Sequence, residues 1–94
     1  MSSDEEAASL GRTLIEYREA KTRRVAIEEE MRRAALRFQS LAGILDRKPT
    51  PFPAHQFQDM PDPAAVRALA EEFDLVRGRC STLREALRTA GVEE

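Results

Sequence analysis

Along the first half of the chain, seam positions recur every three or four residues: Leu10, Thr13, Tyr17, Ala20, Arg24, Ile27, Met31, Ala34, Phe38, Leu41 and Leu45. Such a heptad rhythm keeps one stripe of a helix turned toward a partner, because 3.5 residues per repeat nearly matches the helical period. No proline interrupts residues 1–48, so the pattern predicts one helix over about residues 4–46, roughly 60–65 Å long. Ser2 or Ser3 is expected to cap it, with Asp4, Glu5 and Glu6 in the first turn, where negative charge faces the exposed N–H groups. Gly11 weakens the helix by about 1 kcal/mol relative to alanine, which predicts fraying of the first two turns. Gly43 offers a stop, but Ile44 and Leu45 carry the apolar pattern past it, and the end is expected at Asp46–Lys48, before Pro49.

A second seam runs through Val66, Leu69, Phe73, Val76, Cys80, Leu83, Leu87 and Ala90. Asp62 suits the N-cap, Pro63 the first helical position and Gly91 the C-terminal cap. The second helix is therefore expected at about 63–90. Residues 47–62 form a proline-rich connector, extended or irregular around Pro49, Pro51 and Pro53. Its apolar residues Phe52, Phe57 and Met60 have two readings: a cap over the open end of the hairpin, or a proline–aromatic docking motif.

Two matching seams predict an all-α fold, an antiparallel helical hairpin forming a single domain over residues 1–94. Setting Leu45 opposite Val66 puts Phe38 against Phe73, Met31 against Cys80, Ile27 against Leu83 and Arg24 near Leu87, with Glu28 close to Arg84. In that register residues 1–20 overhang, and Leu10, Leu14 and Tyr17 have no partner within the chain. Ile15, Val25, Leu36, Ile44 and Leu75 are apolar residues off the main seam. A bare hairpin buries too little of its surface to be self-sufficient. The expectation is a homo-oligomer, a dimer completing a four-helix bundle or coiled coil, or else a helical partner protein. Its interface residues would be Leu10, Leu14, Ile15, Tyr17, Arg24, Phe52, Phe57 and Met60. Arg24, a charge on the seam, reads either as a side chain reaching Glu28 or solvent over Leu87, or as a register lock.

Charge changes this picture little. Charged residues make up 34% and the net charge is −2, spread as near-balance in each segment, so no strong basic excess points to nucleic acid. On the first helix, pairs four residues apart (Arg12–Glu16, Glu19–Arg23, Glu28–Arg32, Glu29–Arg33) are expected to keep the outer face in water. One basic face stands out, Arg77, Arg84 and Arg88 on the second helix, with Lys21, Arg23 and Arg24 as possible neighbours. It supports an alternative reading as a nucleic-acid-associated subunit.

Catalytic chemistry is not evident. His55 is the only histidine, Cys80 the only cysteine and it sits on the seam, and no phosphate-loop, dinucleotide or zinc-protease spacing occurs. The chain is read as a non-enzymatic assembly protein, a scaffold, adaptor or small subunit, with no cofactor and no metal. Without a signal peptide or a membrane-length apolar run, a cytoplasmic setting away from membranes is expected.

Overall fold

A computed structural model describes residues 3–92, Ser3 by its backbone alone; the capping role expected of Ser2 or Ser3 falls outside the described residues. Two long helices, α1 (Ser3–Arg47) and α2 (Pro63–Thr89), run antiparallel as an extended hairpin of 73 × 19 × 14 Å, with no strand among the described residues. The helix bounds fall within one residue of those the seams predict, and α1 passes through Gly11 and Gly43 without a break.

The local chemistry at each helix end explains where it stops. The Asp62 carboxylate accepts a hydrogen bond from the Ala64 N–H at 3.0 Å, and Pro63 follows at the first helical position. At the far end of α2, Gly91 adopts φ +85°. Its N–H donates to the Arg88 carbonyl, and the Val92 N–H donates to the Leu87 carbonyl at 2.8 Å. That is a Schellman closure, and Val92 packs back onto the cluster containing Leu87, as the motif prefers. α1 ends differently. Lys48 takes the left-handed conformation, φ 48°, and its N–H donates to the Ile44 carbonyl at 3.1 Å. A side chain other than glycine there is strained by about 1–2 kcal/mol.

The connector is irregular rather than a regular polyproline helix. It holds a cis Thr50–Pro51 bond, an inverse γ-turn at Pro53 closed by the Ala54 N–H on the Phe52 carbonyl at 2.9 Å, and a short 3₁₀ turn, Ala54–Phe57. The Phe52 and Phe57 rings stack with centroids 5.6 Å apart. Arg37 on α1 donates to the Gln56 carbonyl, which holds the connector against the end of α1.

The register departs from expectation. Tyr17 and Ala20 share a buried cluster with Cys80 and Leu87, and Leu10 and Leu14 pack against it. Tyr17 therefore occupies the place expected of Met31, 14 residues or two heptads nearer the N terminus. Ion pairs across the hairpin agree: Glu16 with Arg79 at 3.5 Å and Arg23 with Glu72 at 2.6 Å. The segment expected to overhang does not do so over its described residues, since Leu10 and Thr13 line a groove with Ala86 and Ala90 near the end of α2. The part of α1 that outruns α2 is its C-terminal end, and there the connector, not a helix, lies alongside.

The buried face of α1 also rotates along its length. Ile44 is buried and Leu45 is 56% exposed, the reverse of their expected roles. A straight helix drifts about 20° per heptad from a strict 3.5-residue repeat. That drift amounts to only about 80° over the four heptads from Tyr17, whereas Leu41 and Ile44 lie about 120° and 180° round the helix from it, so the connector, bonded to Arg37, covers a different side of α1 from the one that α2 covers.

Candidate functional site

The residues expected to form an outward interface fall into two groups. Leu10, Leu14 and Tyr17 belong to the hairpin's own core, with Tyr17 only 5% exposed. Ile15 stays exposed, but on the outer side of α1, away from that core. At the other end of the molecule Phe57 is half-buried under its stack with Phe52, while Phe52 and Met60 remain about half exposed, at 45% and 46%. Leu45, 56% exposed, belongs to the stretch of α1 that continues past the start of α2. Leu36 is also exposed, but nine residues before Leu45 places it half a turn round the helix, on another side. Val25 and Leu75 are scattered singly among charged neighbours, as is ordinary for a protein surface.

The arginines are sorted by the same register. Lys21 and Arg24 of α1 meet Arg77 and Arg84 of α2 around one cleft, whose wall also includes Tyr17, Ser81 and the buried Cys80. Arg88 and Arg23 are not part of it. Arg88 turns to Glu85 at 2.6 Å, and Arg23 makes a two-pronged bond to Glu72 at 2.6 and 2.9 Å. In that exposed pair the hydrogen bond from Arg23 is the main cause holding the Glu72 carboxyl below its ordinary 4.5, while Glu72 raises the Arg23 guanidinium. Two of the acid–base pairs expected along α1 are thus replaced, since Glu16 and Arg23 reach across to α2 instead.

Arg24 does pair with Glu28, at 3.5 Å, but it lies beside Arg77 and Arg84 rather than Leu87. Its Nε is buried without a hydrogen-bond partner. Glu28, expected beside Arg84, is instead the outer partner of Arg24. Lys21 sits over the Tyr17 ring at 5.5 Å, and Arg77 over Phe73 at 5.9 Å, so two of the four cations are steered by aromatic faces.

Of the basic residues that the sequence groups on one face, Lys21, Arg24, Arg77 and Arg84 meet around this cleft, while Arg23 and Arg88 are turned to Glu72 and Glu85. The crossed pairs Glu16–Arg79 and Arg23–Glu72 were the signal that could have found the register. Among the described residues no group of three or more His, Cys, Asp or Glu side chains is placed to hold a metal ion. No described helix is long and apolar enough to cross a membrane. No family model, curated protein or solved structure matches the chain.

Proposed function

We propose that this is a non-catalytic helical assembly protein, a scaffold, adaptor or small subunit, that self-associates through the connector end of its hairpin. One observation carries the reading: where α1 outruns α2, its seam continues into an exposed Leu45, and the connector that follows leaves Phe52 and Met60 about half exposed. A second copy fits this end because its own seam extension offers the same apolar residues in a two-fold arrangement. Two hairpins meeting there would complete a short four-helix contact. Covering the exposed half of each side chain is worth about 1 kcal/mol. Against the cost of association, that supports a dimer of modest affinity.

Light scattering across a concentration series tests it. The wild type should rise toward twice the monomer mass, and a Leu45→Ser, Phe52→Ser double variant should remain monomeric with unchanged helix content. A wild type that stays monomeric throughout the series contradicts the reading. The alternative, a nucleic-acid-associated subunit, draws support from the four converging cations. Their confinement to one cleft, with Arg88 engaged by Glu85, suits a compact anion better than a duplex.

A further inference from the structure

We infer that the cleft between Lys21, Arg24, Arg77 and Arg84 binds a compact polyanion bearing adjacent phosphate groups, either inorganic pyrophosphate or the phosphate chain of a nucleotide. Elsewhere on the hairpin, basic side chains alternate with carboxylates: Arg67 with Glu71, Arg79 with Glu16, Arg23 with Glu72, Arg88 with Glu85. Here four cations share one opening, and no carboxylate lines it. Glu28 and Asp74 touch Arg24 and Arg77 from outside, at 3.5 and 3.7 Å, and each is a loose single contact. Lys21 and Arg84 have no carboxylate partner among the described residues. Like charges gathered this closely repel one another, and a bound anion removes that repulsion.

The side chains are also arranged for such a ligand. The Tyr17 and Phe73 rings steer Lys21 and Arg77, and Ser81 adds a hydroxyl donor at the wall. Three guanidinium groups present planar forks that match phosphate oxygens, and the lysine supplies a compact point charge. A cleft of about 300 Å³ is at the small end of the range for small-molecule sites. A single carboxylate would leave most of the positive charge unanswered, whereas two or three linked phosphates balance it. The cleft lies within one hairpin, so the inference does not depend on self-association.

Isothermal titration of the full chain, kept dilute at low ionic strength, tests it with sodium pyrophosphate, ATP and a short DNA duplex in separate runs. Pyrophosphate and ATP should both bind. Equal affinities assign recognition to the phosphates alone, and tighter ATP binding assigns part of it to the nucleoside. Arg84→Gln and Arg77→Gln should each weaken binding about 10-fold, as expected for loss of one charged hydrogen-bond donor. Arg67→Gln, on the surface of α2 beside Glu71, should leave it unchanged, and circular dichroism should show equal helix content in all variants. Silence toward both small anions overturns the inference, as does binding that Arg84→Gln and Arg77→Gln do not weaken. Binding of the duplex alone overturns it in favour of an extended nucleic-acid face.

Discussion

The two ends of α1 are covered in different ways. Its N-terminal half lies along a full helix, so Tyr17, Ala20 and Ile27 are buried and Leu10 and Leu14 pack against the same cluster. Its C-terminal end has only the connector beside it, which buries Leu41 and Ile44 but leaves Leu45 and Phe52 about half exposed. A helix covers a stripe continuously because its side chains repeat on the same period as the stripe. A proline-rich segment has no such period, so it shields some positions and misses their neighbours. The sealed half is where stability resides, and the half-sealed end is where another molecule has something to gain.

Truncation should break this comparison most sharply. Leu87→Ala, at a side chain 1% exposed, should lower unfolding free energy by about 2–5 kcal/mol. Leu45→Ala should change the stability of the monomer by no more than about 1 kcal/mol. Urea unfolding of both variants at one dilute concentration gives the contrast, and equal losses would mean that the two ends are packed alike.

The helix caps should respond next, and with opposite signs. Gly91→Ala places a side chain at φ +85°, and should cost about 1 kcal/mol. Lys48→Gly relieves the strained left-handed residue that ends α1, so a gain of up to about 1 kcal/mol is expected. Thermal melts of the two variants on either side of the wild type would confirm that α2 ends on a relaxed cap and α1 on a strained one.

The smallest effect concerns the exposed Arg23–Glu72 latch across the hairpin. Folding lowers the Glu72 carboxyl from 4.5, so its contribution is present above that pH and fades as pH falls through the lowered value. Glu72→Gln should therefore be slightly less stable than the wild type at neutral pH and equal to it in strong acid. A difference that persists at low pH would assign the effect to something other than this carboxylate.

Much of the fold was legible in residue order. The two seams, the run without proline, the Asp62–Pro63 start and Gly91 locate both helices, because each is a local signal read within one or two turns. Register is not local. A seam that repeats every seven residues looks the same after a slide of seven or fourteen, so matching apolar positions fits several alignments equally well. The connector does not decide either, since about 15 residues reach up to ~50 Å and a two-heptad slide moves the helices only ~21 Å. What distinguishes the alignments is what the repeat does not contain: the charges Glu16, Arg23, Glu72 and Arg79, and the advantage of covering Leu10, Leu14 and Tyr17. The basic site was legible as a grouping of six residues, but which of them stay in it was not, because Arg23 and Arg88 are drawn off by Glu72 and Glu85. The connector's bond from Arg37 is a tertiary contact and has no signature in the local pattern.

Register is the claim on which both the interface and the basic cleft rest, and the single tyrosine reports it. Nuclear Overhauser contacts from the Tyr17 ring should reach the side chains of the Cys80–Leu87 cluster, since Tyr17 is buried within it. Contacts from the Met31 methyl to Cys80, with the Tyr17 ring free in solvent, would place the helices two heptads apart from this arrangement and contradict it.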